Sequence, residues 1–272
     1  MTRYVIRRLI QSVPLLLLIS AIVFALLKAA PGGPMGAYMR RGNLSQQDIE
    51  QLQESLGLNA PIYVQYGKWL GHVMKLDFGE SLTEHRPVTS AIMDRLPNTL
   101  YLMLTAWIVT ILLAIPIGVI SAIKQYSWFD HIVTTLTFMG QSIPIFWLGL
   151  ILILIFYLTL SNPFTGRPLL PAGGMYTLGQ GFSITDRLTH LILPVTMLSA
   201  SWVAWYSRFL RSSMLEVIHQ DYIRTARAKG IRERAVILRH CLRNAAIPLV
   251  TLMALDLPYI FSGALFTEVI FA

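Results

Sequence analysis

A dense block of basic side chains separates two apolar stretches of this chain, in the segment DYIRTARAKGIRERAVILRHCLRNAAIP from Asp221 to Pro248. Such a block could bind nucleic acid, mark the cytoplasmic side of a membrane protein, or form a surface on which another protein docks. The basic block as a whole extends over positions 208–243, with Arg208, Arg211, Arg224, Arg227, Lys229, Arg232, Arg234, Arg239 and Arg243 against the acids Glu216, Asp221 and Glu233.

The composition favours a membrane protein over a nucleic-acid binder. Of the 272 residues, 54% are hydrophobic and 13% are charged, a charge content that soluble domains of this length seldom have. The formal net charge is +8, but the basic residues flank apolar stretches and do not form a stripe with interleaved aromatic residues. The charge therefore indicates membrane topology, and no nucleic-acid partner is expected.

The sequence has no motif for catalysis or metal binding. The letters DFG occur at Asp77–Gly79, but a kinase also needs a Gly-rich loop, a strand lysine and an H-R-D loop, which are missing. A phosphate-binding loop, an H-E-x-x-H helix and a G-x-S-x-G elbow are missing too. The six histidines lack ligand spacing, and the single Cys241 excludes an internal disulfide. We expect no catalytic residue and no metal site, so this polypeptide alone should neither hydrolyse ATP nor cut peptides.

The basic block has more order than a topology signal requires. Asp221–Lys229 and Ile231–Asn244 both have good helix-forming composition, and Gly230 between them suits a tight turn. Apolar residues recur among the arginines, which suggests a helix–turn–helix that displays small and apolar side chains to another protein. These residues are Tyr222, Ala226, Ile231, Val236 and Ile237.

Asp256 is the most polar residue inside an apolar stretch and a candidate for a translocation path. An ionised Asp at mid-membrane costs ~2.5–3.5 kcal/mol on insertion scales, so Asp256 is expected to face protein or water and not lipid. It either makes a hydrogen bond to a neighbouring helix or contacts the solute.

Two other groups of polar residues are candidates for the same path. Gln141, Ser142 and Pro144 interrupt one apolar stretch, where Pro144 produces either a gate or a packing bend. Small residues in the next stretch either line the path or let helices approach closely. They are Ser199, Ser201 and Ser207.

Five apolar stretches have the ~20 residues needed to cross a membrane. Arg3, Arg7 and Arg8 precede the first one, which places the N-terminus in the cytoplasm. Lys124–His131 and 208–243 are then cytoplasmic connections. The sequence predicts an all-α polytopic helical bundle with a sixth span beyond residue 272. The five predicted spans cover about 9–30, 99–123, 132–160, 188–208 and 245–266.

The predicted organisation has three parts. Residues 1–30 form the cytoplasmic tail and first span, 31–98 an extracytoplasmic segment, and 99–272 the core with the cytoplasmic loop 208–243. In the outer segment, a capping box at Ser45 and Asp48 predicts one amphipathic helix near 46–56, and Pro61 can open a second near 61–74. Segment 161–187, rich in Gly and Pro, is a second outer connection.

The loop resembles the E-A-A-x-x-x-G-x(9)-I-x-L-P loop of ABC importer permeases. The match lies in the spacing and in Ala226, Gly230 and Leu242, whereas Arg224 stands for the Glu and Arg243 for the Pro. Further segments resemble the dipeptide/oligopeptide permease subfamily along essentially the whole chain, although Gly33 stands where the subfamily often has an acid. These segments are RRL, APGGP, LGLNAPIYVQY, DFGES, RLPNTL, SIPIFWLG, RSSMLEV, DYIRTARAKG, LRHCLRNAAIPLV and TEVIF.

This resemblance implies a type I ABC importer permease in a prokaryotic plasma (inner) membrane, carrying di- or oligopeptides. It implies a second homologous permease, two ATP-binding subunits that bind ATP and Mg²⁺, and an external solute-binding protein, with no cofactor on this chain. It also implies a coupling helix that docks on an ATPase, at Asp221, Tyr222, Arg224, Thr225, Ala226, Arg227, Lys229, Gly230, Ile231 and Arg232.

Two other classes remain open from the residues alone. An ion-coupled secondary transporter would have an internal repeat, paired broken helices and buried ion-coupling acids, of which only Asp256 is a candidate. A membrane scaffold that transports nothing would leave the helix–turn–helix with no role beyond docking. The sequence does not fix the solute among dipeptides, oligopeptides, glutathione, nickel complexes and oligosaccharides.

Overall fold

The computed structural model of the chain is helical and divides into two compact units, Met1–Arg95 and Leu96–Ala272. Among the residues it describes, β pairing is limited to the isolated bridges Glu80–Pro87 and Ser161–Pro168. The described residues are 2–31, 36, 47, 50, 53–54, 57–81, 84, 86–179, 181–263 and 265–271.

In the first unit a long apolar helix packs against a short amphipathic one. Helix α1 (Thr2–Ala29) has no buried residue in this chain, and helix α2 (Ile62–Val73) confirms the helix predicted near 61–74. The rings of Tyr66 and Trp69 lie 5.6 and 5.7 Å from that of Phe24, and the hydroxyls of Tyr66 and Ser20 are 2.9 Å apart. The helix predicted near 46–56 and its capping box lie outside the described residues.

Helix α3 (Val88–Ile123) is followed by a helix pair that is sharply bent. Helix α4 (Trp128–Ser142) is followed by Ile143 as its C-cap, and helix α5 (Ile145–Ile153) starts directly after Pro144 and continues as a π-helix (Leu154–Thr159). The two halves are bent by 103°. Proline has no backbone N–H and restricts the preceding residue to extended backbone, which Ile143 adopts at φ −79°, ψ 125°. The predicted interruption of the stretch 132–160 at Pro144 is therefore confirmed.

The last helices carry the basic block. Helix α6 (Ile184–Ile218) is followed by helix α7 (Asp221–Ala228). A helical turn α8 (Glu233–Ala235), a π-helix (Val236–Cys241) and helix α9 (Leu242–Ser262) then run on without interruption, and helix α10 (Leu265–Phe271) ends the described chain.

Among the described residues, four helices are long and apolar enough to cross a membrane, and the count is five if the bent pair is taken as one span. Three predicted boundaries are wrong. Span 188–208 is part of the 35-residue α6, because its arginines continue the helix past the apolar stretch. Span 245–266 ends at Ser262, because Gly263 takes a φ of 75°. The predicted helix Ile231–Asn244 begins at Glu233 and continues into α9 as one span, Glu233–Ser262.

The main apolar core joins α3, α6, α7 and the last span. Buried residues of α3, α6, α7 and the last span all belong to it, so α7 is packed against the bundle. They are Ala114, Val119, Ala122, Tyr206, Leu210, Met214, Ile223, Ala226, Val236, Cys241, Ala245 and Leu249.

Candidate functional site

The turn after α7 is a Schellman motif centred on Gly230. The N–H of Ile231 donates to the carbonyl of Ala226 at 3.4 Å, and the N–H of Gly230 donates to the carbonyl of Arg227 at 2.9 Å. This pattern requires a left-handed residue just past the helix, and Gly230 has a φ of 74°. Ile231 packs against the core that contains Ala226, which is the apolar contact that accompanies such a cap. The predicted glycine turn is confirmed.

The apolar side of α7 faces the protein's own core. Ile223 is fully buried and Ala226 is 6% exposed, and Val236 of the following π-helix is also fully buried. The prediction that Ala226, Ile231, Val236 and Ile237 are on display for a partner is wrong for these four, which are buried or partly buried. Apolar residues at helical spacing among arginines can also anchor a short helix to the core of its own protein, and here they do so.

The opposite side of α7 is polar and exposed. The side chains of Asp221 and Arg224 are 96% and 73% exposed and only 3.6 Å apart at their charged atoms. Thr225, Lys229 and Arg232 are exposed as well, and Tyr222 keeps 42% of its surface exposed. The amide of Asn244, at the start of the last span, donates to the Tyr222 hydroxyl at 3.0 Å. A partner that approaches this loop therefore meets charges, hydroxyls and one aromatic ring.

Arg227 forms an ion pair within the loop. Its Nη2 and Nε donate to the carboxylate of Glu233 at 2.7 and 3.1 Å, so the end of α7 is joined to the start of α8 across Gly230. These hydrogen bonds raise the pKa of the Arg227 guanidinium. Since Arg227 is held by its own chain, it is less available to a partner than Arg224.

A buried ion pair lies near the other predicted cytoplasmic connection. Arg211 of α6 donates from Nε and Nη2 to the two carboxylate oxygens of Asp130, each at 2.7 Å. Ser121 and the backbone N–H of Tyr126 donate to the same carboxylate, which is almost fully buried. Sequence analysis did not identify this pair, and the available signal was a single acid in the short connection Lys124–His131.

Asp256 lines a cavity of about 470 Å³ within the second unit. The Tyr206 hydroxyl donates to its Oδ2 at 2.6 Å. One of the two predictions for Asp256 was a hydrogen bond to a neighbouring helix, and α6 provides it. Ser201 lines the same cavity, together with aromatic and small residues. The remaining lining is Met103, Ile145, Leu198, Trp202, Tyr259, Gly263, Leu265, Phe266 and Thr267.

The other path candidates are not brought to this cavity. Ser142 and Pro144 line a different cavity of about 420 Å³ at the bend between α4 and α5, and Gln141 is exposed nearby. Ser199 is 5% exposed and Ser207 is 1% exposed, and each donates to a carbonyl of its own helix. These two serines therefore serve helix packing, which was the alternative to lining the path.

The structure therefore combines a bundle of apolar helices with a basic helix that lies between two spans and is anchored in the core. Residues 114–272 match the family model described as "Binding-protein-dependent transport system inner membrane component". Residues 1–103 match the model of the N-terminal part of such components. The chain belongs to this family, as a multi-pass permease subunit of an ABC transporter in the plasma membrane.

Curated relatives agree along the whole chain. The oligopeptide transport system permease protein AppB of Bacillus subtilis is 46% identical over 272 residues, which is all of this chain and 84% of that protein. A putative peptide permease protein of Brucella suis is 38% identical, and the dipeptide transport system permease protein DppB of Alkalihalophilus pseudofirmus is 37% identical. These matches span all of this chain and 83% and 85% of those proteins.

Family membership shows which steps this chain performs and which its partner subunits perform. Members are non-catalytic membrane subunits, and ATP is hydrolysed by separate partner subunits. The family description also implies a solute-binding protein as a partner. Nothing in these comparisons favours the ion-coupled transporter considered above.

Proposed function

We propose that this chain is the permease subunit of an importer of di- or oligopeptides, and that residues 221–232 dock on the ATPase. It works with a second homologous permease, two ATP-binding subunits that bind ATP and Mg²⁺, and an external binding protein that delivers the peptide. The peptide substrate is supported by the names of relatives that match the entire chain. The docking assignment is supported by the resemblance of the loop and by its geometry.

The observation that carries the docking assignment is the two-sided character of α7. Ile223 and Ala226 are buried in the core shared with α3, α6 and the last span, while Asp221 and Arg224 are exposed on the other side. A short helix anchored in this way cannot move without moving the spans it packs against. ATPase closure that displaces α7 would therefore displace the bundle as a rigid body, which is how alternating access would be driven.

The substrate proposal is tested with the assembled transporter in lipid vesicles. We expect a labelled tripeptide, supplied with the binding protein, to accumulate inside only when hydrolysable ATP is present at the ATPase. The same peptide should stimulate ATP hydrolysis. If neither peptide uptake nor stimulation occurs, while another solute bound by the binding protein is taken up, the peptide assignment is wrong and the family assignment stands.

The docking surface is tested by charge reversal at Arg224, whose 3.6 Å contact with Asp221 is weak because both side chains are exposed to solvent. Arg224→Glu should weaken capture of the ATP-binding subunits about tenfold at low salt, with a smaller effect at high salt, because the lost attraction is electrostatic. Lys124→Glu, an exposed charge reversal in the other predicted cytoplasmic connection, is the matched control. Equal capture by the two variants would contradict docking at α7.

A further inference from the structure

We propose that the cavity around Asp256 is a cation subsite that binds the α-ammonium group of the transported peptide. The inference rests on the proposed peptide substrate for the identity of the ligand, and on the geometry of the cavity for its charge preference. Every unmodified peptide has an α-ammonium group whatever its sequence, so one carboxylate can serve a transporter of diverse peptides.

The first argument is the state of the Asp256 carboxylate. Oδ2 accepts a hydrogen bond from Tyr206, and no described residue donates to Oδ1. No described basic side chain forms an ion pair with Asp256. A carboxylate at membrane depth needs compensation, because its insertion costs ~2.5–3.5 kcal/mol. A cationic ligand in the cavity would supply the missing partner.

The second argument is a second carboxylate next to one of the residues that line the cavity. Glu268 accepts a hydrogen bond from Thr99 at 2.8 Å, and its Oε1 would lie 3.2 Å from a Cβ added to Gly263, a residue of the cavity lining. Glu268 also has no ion-pair partner among the described residues. Two uncompensated acids give the cavity a negative potential that attracts cations and repels anions.

The third argument is the size and lining of the cavity. About 470 Å³ is within the range of ~300–1,000 Å³ that small-molecule sites occupy. The hydroxyls of Ser201 and Thr267 and the rings of Trp202, Tyr259 and Phe266 belong to the lining. Aromatic rings attract ammonium groups through their faces and also accept apolar side chains, so the lining suits an amine-bearing peptide end. Asp256 is the specificity-determining residue of this subsite.

The charge preference is tested without any peptide, by modifying a thiol at Ser201→Cys in the detergent-solubilised transporter. The reagents are a cationic trimethylammonium methanethiosulfonate and an anionic sulfonate methanethiosulfonate, and their rate ratio is divided by the ratio for a free thiol in solution. We expect a normalised ratio of about tenfold in favour of the cation, since opposite charges a few ångströms apart interact strongly near protein. The only cysteine of this chain is the buried Cys241, and the wild-type transporter measures the background from it and from the partner subunits.

Variants at Asp256 separate charge from packing. Asp256→Asn keeps an oxygen that can accept from Tyr206 but removes the charge, so the ratio should fall several-fold toward that of the free thiol. Asp256→Glu should retain the preference. A ratio near one in the starting protein, an unchanged ratio in Asp256→Asn, or no reaction with either reagent would overturn the subsite.

The ligand is tested by uptake of a tripeptide into vesicles containing the assembled transporter. Asp256→Asn should lower uptake of the free-amine peptide about tenfold by raising its KM, whereas Glu216→Gln, an exposed acid of α6, should leave it unchanged. Uptake by Asp256→Asn equal to that of wild type would overturn the ammonium assignment. If wild type takes up no peptide while the thiol ratio is high, the peptide function fails and the cation preference of the cavity stands.

Discussion

The arginines of the basic block make different interactions, although the sequence alone does not distinguish them. Arg211 is paired with the buried carboxylate of Asp130, and Arg227 braces its own loop through Glu233. Arg224 is exposed, and its one acidic contact, Asp221 at 3.6 Å on the same helix, is exposed as well. In the proposed docking, electrostatic attraction to the ATPase therefore depends on Arg224 and its exposed neighbours, while Arg227 holds the loop in shape.

Gly230 is the residue at which backbone strain decides the shape of this loop. A Cβ at position 230 would meet no atom within 4 Å, so the cost of a substitution comes from the φ of 74° alone. Gly230→Val should cost about 1 kcal/mol or more, because a β-branched residue resists this conformation. Capture of the ATPase should fall, while insertion and pairing with the second permease should persist.

Gly230→Asn is the matched control, because Asn tolerates the left-handed region far better than Val does. It should keep most of the capture and uptake. Pull-down of the ATP-binding subunits and vesicle uptake would be measured side by side for both variants. Normal capture and uptake by Gly230→Val would mean that the turn geometry is not needed for coupling.

At the scale of the element, sequence analysis succeeded where the signal was local. The turn at Gly230, the break at Pro144 and the helix Ile62–Val73 follow from properties of the residues at those points. It failed where the partner lies far along the chain. Ser45 and Asp48 stay predictions, since they lie outside the described residues.

Two failures have clear physical reasons. Asp130 and Arg211 are 81 residues apart, and no periodicity joins them. The apolar spacing that includes Ala226 is the same for a helix that docks on a partner and for one that packs on its own core, so exposure could not be inferred from it. The end of α6 was misplaced for a similar reason, because hydropathy marks where the apolar stretch ends and not where the helix ends.

The contact between α3 and α6 depends on Gly118. A Cβ added there would lie 2.7 Å from the backbone carbonyl oxygen of Ser207, which cannot move without moving α6. Gly118→Ala should therefore destabilise the bundle by about 1–3 kcal/mol, as overpacking does. The measurement is thermal unfolding of the purified protein in detergent.

Gly140→Ala provides the control on another helix that packs on α6. Its added Cβ would meet only the carbonyl oxygen of Ala200 at 4.0 Å, an ordinary contact. Because Ala favours helix over Gly by about 1 kcal/mol, this variant should unfold at the same temperature as wild type or higher. Similar unfolding temperatures for the two variants would mean that the close approach at Gly118 is not a constraint.

At the scale of the whole molecule, two separate contacts join the predicted cytoplasmic connections to the spans. Ile223 and Ala226 fix α7 in the main core, and the Asp130–Arg211 pair fixes the turn before α4 to α6. Both contacts involve α6 or helices packed on it. A displacement of α7 should therefore reach α4 through α6, and with it the bend at Pro144 and the cavities that Pro144 and Ile145 line.

The ion pair of Asp130 and Arg211 tests this connection. Asp130→Asn leaves Arg211 without its charge partner, and we expect a loss of about 2 kcal/mol in unfolding free energy. This is below the ~3–5 kcal/mol for a fully buried pair because the Arg211 side chain is 24% exposed. Asp130→Asn/Arg211→Met, which removes both charges, should regain part of that stability.

If the pair only stabilises the fold, uptake should recover with stability in the double variant. If it transmits motion, the double variant should be stable and should capture the ATPase, yet the peptide transported per ATP hydrolysed should stay low. Full recovery of that ratio would contradict transmission through this pair.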